Sequence, residues 1–141
     1  MILTYSLERF KYSILARKKK HTLREDETRR WRPGMSIQHW MYNPRNVSKS
    51  PHQFDEGVCG GVQDVMILRV ARNKQNSTGL LVWILPDPWL SEAKRPLSKS
   101  AIQKLALNDG LSVAEFRKWF VPKDAPIWKG RIIHFTDNLK Y

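Results

Sequence analysis

Lys19, Thr22 and Arg24 stand close together in the stretch ARKKKHTLRED, residues 16–26, and their types can do chemistry as a group. A threonine hydroxyl is a weak nucleophile at neutral pH unless a neighbour accepts its proton, and a lysine accepts one when burial or nearby cations lower its pKa. Arg17, Lys18, Lys20 and Arg24 supply such cations. In a regular strand residues 19 and 22 point to opposite faces, so Lys19 meets Thr22 only if it lies on the turn before the strand begins. Lys20, with the same parity as Thr22, is the alternative base. By spacing alone, a solvated basic strand accounts for the same residues.

Apolar periodicity and turn chemistry define the secondary structure around these residues. Residues 2–5 suit a short strand, and Ser6 is expected to cap a helix whose apolar positions are Leu7, Phe10 and Ile14. A strand over 20–24 follows the basic run, then a charged loop over 25–32 ending in Pro33-Gly34, then a strand over 35–42. Residues 43–57 carry Pro, Asn, Ser and His without periodicity and read as one long surface loop. Two β-branched-rich strands over 62–70 and 80–85 are joined through a polar turn over 73–79. After an irregular connection over 86–96 come a helix over 98–107, stopped by Asn108-Asp109-Gly110, and a second helix opened by the capping box Ser112 to Glu115 and ended by Pro122. A final strand covers 127–135. About six strands and three helices without strict alternation predict an α+β or barrel-like sheet with flanking helices.

The chain has 141 residues, of which 41% are hydrophobic, enough for one core, so a single domain over 1–141 is expected. Its net charge is +12, and residues 1–50 hold twelve Lys and Arg against four Asp and Glu. A basic field concentrated in one third of the chain attracts phosphate polymers, which makes RNA the first partner to consider. No amphipathic segment sets a broad apolar face against this basic run, and the longest apolar stretch, 80–85, is far too short to span a bilayer. No membrane partner is expected. The single cysteine, Cys59, allows no internal disulfide, and a reducing, cytoplasmic location is expected.

Other chemistries find little footing. His21, His39, His52 and His134 are scattered, and none pairs with another or with Cys59 at ligand spacing, so no metal site is expected. The His-x-Glu and Cys-x-x-Cys of zinc deaminases are absent. Pro86-Asp87 followed by Glu92-Ala93-Lys94 has a nuclease-like look, but short strings of this kind arise easily by chance. No glycine-rich phosphate loop is present.

Residues 14–26, ILARKKKHTLRED, resemble the signature of the ASCH domain family within the PUA-like superfamily, Gly-x-Lys-x-x-Thr-x-Arg, with Lys19, Thr22 and Arg24 on its lysine, threonine and arginine. Trp31 to Ile37 is similar to the family's next strand entry, and Asn108 to Leu111 followed by Ser112 to Phe120 is similar to its helix-flanked acidic position. The resemblance implies a PUA-like β-barrel and, from small amidohydrolases of the family, removal of the acetyl group from N(4)-acetylcytidine by a Lys, Thr and acid site without a cofactor. These residues would be Lys19, Thr22 and Asp109. The pattern departs twice. Arg17 stands where the family has glycine, which puts at risk a backbone conformation that glycine allows, and Asp109 replaces the amidohydrolases' glutamate with a side chain one methylene shorter. Asn-Asp-Gly is also what a plain helix-ending turn looks like.

Three activities are thus expected in competition. One is amide hydrolysis of an acetylated cytidine. A second is RNA binding without catalysis, in which Arg17, Lys18, Lys20 and Arg24 contact phosphates while exposed Trp31 or Trp40 stack on bases and Trp83, Trp119 and Trp128 pack in the core. The third is metal-independent RNA cleavage at the same site, with Lys19 and Arg24 stabilising the phosphate.

Overall fold

A computed structural model describes residues 1–85 and 95–141. Seven strands and three α-helices follow one another as β1 (Ile2–Tyr5), α1 (Glu8–Leu15), β2 (His21–Arg24), β3 (Ser36–Met41), β4 (His52–Val58), β5 (Gly61–Arg69), β6 (Leu80–Leu85), α2 (Lys99–Asn108), α3 (Val113–Phe120) and β7 (Ile127–His134). The class is α+β. One sheet has the order β1-β3-β4, with β1 parallel to β3, and the other the order β2-β7-β5-β6, antiparallel throughout. A single cluster of buried apolar side chains draws on both sheets and all three helices, among them Tyr5, Phe10, Ile37, Ile67, Leu105, Phe116 and Ile132.

Strand alternation explains the inward set. On β3, Ile37, His39 and Met41 are buried while Gln38 and Trp40 face outward, where the Trp40 indole donates to Gln38 Oε1 at 3.3 Å. On β6, Leu80, Val82 and Ile84 point inward. The capping box of α3 forms in full: Ser112 accepts from the Glu115 amide while Glu115 accepts from the Ser112 amide. Ser98 caps α2 by accepting from the Ala101 amide.

Two expectations about elements fail. Among the described residues seven strands are present rather than about six, because β4 lies within the segment read as a loop. It is an edge strand with no buried residue, so it carries none of the apolar alternation that marks a half-buried strand. Ahead of it, residues 43–50 do hold turns and a single 3₁₀ turn, Val47–Lys49. Ser6 does not cap α1; the cap position is Leu7, which makes no side-chain bond to the helix. The nuclease-like string from Pro86 to Lys94 lies outside the described residues. Among those residues no helix is long and apolar enough to cross a membrane.

Candidate active site

The site is built from two helix ends. Helix α1 stops in a Schellman turn, with Arg17 N–H donating to Ile14 O at 2.9 Å and Lys18 N–H to Ser13 O at 2.8 Å. This turn needs a left-handed residue, and Arg17 supplies it with φ of 59°. The conformation that a glycine would take readily is therefore kept by an arginine, at a steric cost. Lys18 is left exposed, whereas Lys19 turns inward and is only 3% exposed. Lys19 precedes β2, the one location from which sequence parity lets it share a side with Thr22. The Lys20 amide then donates to Asn108 O at 2.8 Å, tying this turn to the end of α2.

Asp109 is the C-cap of α2, and Gly110 follows it with φ of 81°. Asn-Asp-Gly does end the helix, and the same turn aims Asp109 into the protein. Lys19 Nζ donates to Asp109 Oδ1 at 2.7 Å and to Asp109 O at 2.5 Å, and it lies 4.6 Å from the centre of the Phe10 ring. The shorter acid therefore reaches. Burial pushes the Lys19 pKa below its usual value, against the opposing pull of Asp109. Burial raises the Asp109 pKa, but the charge of Lys19 with help from His21 outweighs it and holds the carboxyl below the usual range. An amine that releases its proton easily beside an ionised carboxylate is an arrangement suited to proton transfer.

Lys19, Asp109, Thr22 and Arg24 line one cleft, walled by Tyr5, Phe10 and Trp119. Thr22 is 5% exposed, and among the described residues its hydroxyl makes no hydrogen bond, so it is free for a ligand. Arg24 donates to Thr4 O at 2.6 Å and lies 5.5 Å from the centre of the Tyr5 ring, which fixes the guanidinium at the cleft edge.

Behind the pair lies a polar layer that sequence reasoning passes over. His21 and His134 sit opposite each other on β2 and β7, with ring centroids 5.6 Å apart. The Tyr141 hydroxyl accepts from Asn108 Nδ2 at 2.7 Å and meets His21 Nε2 at 2.8 Å. A hydroxyl that accepts from Asn108 can donate to Nε2, which puts the His21 proton on Nδ1, 3.7 Å from Asp109 Oδ1. Burial lowers the pKa of His21, and that of His134 to about 4. The His21 ring is therefore neutral, and its Nδ1 lies buried beside the carboxylate without a hydrogen-bond partner among the described residues. Among the described residues, no three of His, Cys, Asp and Glu gather closely enough to hold a metal ion.

The other expected binding residues do not join the cleft. Arg17 is exposed and paired with Asp55 at 2.8 Å. Lys20 is exposed and lines a different recess with His39 and Glu56, which removes it as the alternative base for Thr22. Trp31 is buried in the core, contrary to its expected role as a stacking platform. Asp26 accepts from the Arg30 and Trp31 amides and from Arg131, and Arg131 also donates to Trp31 O, so the loop folds inward. Trp40 is half-buried on the outer face of β3, away from the cleft.

Trp119 makes the opposite correction, since it is 50% exposed at the mouth of the cleft rather than packed in the core. With Phe116 and Phe120 it continues an i, i+3, i+4 stripe, which is why it reads as a core residue, but only those two neighbours are buried. Its exposure at the stripe's edge has no signal in spacing. Comparison of the chain with family models, with curated proteins and with solved structures finds no match.

Proposed function

We propose that the chain is an ASCH-like domain, its two sheets forming the halves of a PUA-like barrel, and that it hydrolyses the acetyl amide of N(4)-acetylcytidine. The observation that carries the reading is the buried Lys19–Asp109 pair in one cleft with the unbonded Thr22 hydroxyl. In this scheme Thr22 Oγ attacks the acetyl carbonyl carbon while neutral Lys19 takes the hydroxyl proton. The C–N bond to the cytosine amino group then breaks, Lys19 returns the proton to that nitrogen, and cytidine leaves. Water, deprotonated by Lys19, attacks the carbonyl carbon of the acetyl-threonine ester; the bond from that carbon to Thr22 Oγ breaks, Lys19 returns the proton to Oγ, and the acetic acid released ionises to acetate. Asp109 occupies two of the three ammonium donors of Lys19 and so fixes its direction.

RNA binding without turnover is the second reading, supported by the exposed cations Arg17, Lys18 and Lys20 beside the same turn. The deciding experiment is chromatographic detection of cytidine released from N(4)-acetylcytidine by wild type, Thr22→Val and Lys19→Ala. Release by wild type that both variants lose supports the scheme. Release undiminished in Thr22→Val removes the nucleophile, and no release from folded wild type leaves RNA binding as the reading.

A further inference from the structure

The cleft does not end at Thr22. Leu23, Arg24, Trp119 and Phe120 line both it and a wider groove of about 560 Å³ that continues past Pro122 and Ala125 to Trp128. Two indoles border this groove. Trp119 projects from α3 and is tilted against Phe10, with centroids 6.0 Å apart. Trp128 projects from β7 and packs against Phe120, with centroids 4.9 Å apart. Its ring lies over Gly130, where a Cβ would stand 2.3 Å from Trp128 Cη2 and 2.6 Å from Arg24 O. The lack of a side chain at 130 is what lets the indole lie flat along the wall.

The groove's own lining carries one cation, Arg24, and one acid, Glu25, and the segment that forms most of its wall is basic. Residues 117–131 contain five Lys and Arg against one acid, Asp124. Among the described residues Lys118 and Lys123, next in sequence to the groove-lining Trp119 and Pro122, take part in no ion pair, whereas Lys129 lines a separate recess with Asp26, Glu27 and Asp64. An open aromatic-walled groove beside unneutralised cations suits a flexible polyanion whose units carry flat apolar rings.

We infer that this groove takes the nucleotide next to the one held in the cleft, so that the ligand of the site is a short single-stranded RNA rather than a free nucleoside. The inference rests on reading the cleft as a nucleoside site. Arg24, at the junction of cleft and groove, faces the phosphate between the two units, and Trp119 and Trp128 offer stacking surface to the second base.

The test is a fluorescence-anisotropy titration of a labelled five-nucleotide cytidine RNA at about 50 mM salt, with thermal unfolding to verify that each variant folds. Trp119→Ala and Trp128→Ala are each expected to weaken binding by about five-fold or more. A Lys118→Glu/Lys123→Glu variant, altered at two unpaired cations next in sequence to Trp119 and Pro122, should weaken binding and flatten its salt dependence. Should Trp128→Ala fail to fold, the Trp119 and lysine variants decide. Equal affinity of wild type and all folded variants, or no binding by wild type, overturns the inference. Because the RNA is unmodified and nothing is turned over, variant-sensitive binding without hydrolysis of acetylcytidine sinks the amidase reading alone. Hydrolysis of the nucleoside with variant-insensitive binding sinks the groove alone.

Discussion

Lys19 Nζ lies 2.7 Å from Asp109 Oδ1, and both side chains are almost wholly buried although ninety residues separate them. Removing one partner strands a charge in the interior, whereas removing both does not. Asp109→Ala is expected to lower stability by about 3–5 kcal/mol in urea denaturation, and Lys19→Met/Asp109→Leu to regain most of that loss while remaining inactive. A double variant no more stable than Asp109→Ala would mean that the pair is not coupled as the geometry shows.

Thr22→Val separates chemistry from packing. Valine has nearly the shape of threonine, and the hydroxyl it removes has no hydrogen-bond partner among the described residues. Stability should change by less than about 1 kcal/mol, with hydrolysis of acetylcytidine lost. A large drop in the unfolding midpoint would instead give the hydroxyl a structural role.

Arg17→Gly should stabilise the protein. The Schellman turn holds Arg17 at φ 59°, a conformation costing an L-residue about 1–2 kcal/mol that glycine adopts freely. Against this stand the loss of the exposed contact to Asp55 and the greater freedom of glycine in the unfolded chain. A net gain of about 0.5–1 kcal/mol is expected from chemical denaturation, and a net loss would show that the Asp55 contact outweighs the strain.

His39 and His134 make stability depend on pH. Burial holds both rings at a pKa of about 4, below the value of about 6.5 for an exposed imidazole. Folding therefore excludes protons that the unfolded chain binds. Their contribution is fully present above about pH 6.5 and is lost as pH falls towards 4. Urea midpoints measured from pH 7.5 to 4 should decline over this window, and a His134→Gln variant should show a shallower decline.

Gly130→Ala tests the wall beneath Trp128. A methyl group there would stand 2.3 Å from the indole and 2.6 Å from Arg24 O, so the ring must move and β2 must shift. A loss of about 1–3 kcal/mol is expected, read as a lower thermal midpoint together with altered tryptophan fluorescence. An unchanged midpoint and spectrum would show that the indole is free to swing aside.

Elements whose periodicity survives in one line of residues are legible without any knowledge of packing. β1, β5, β6, β7, α2 and the capping box of α3 all lie within a residue or so of their expected bounds. Lys19, Thr22 and Arg24 are equally visible, because they fall within six residues and parity restricts how they can meet. The remainder depends on how the folded elements pack. β4 has no buried residue, only Phe54 of its apolar side chains packing partly against the core, and so leaves no alternation to read. Asp109 looks like any helix-ending turn until the end of α2 is laid against the Schellman turn of α1. Trp31 and Trp119 exchange their expected places, one drawn inward by Asp26 and Arg131, the other left at the margin of the stripe formed by Phe116 and Phe120. Local sequence dictates hydrogen-bonding preference and periodicity. Which face of an element meets the core, and which charge meets which, depends on contacts between residues far apart in the chain.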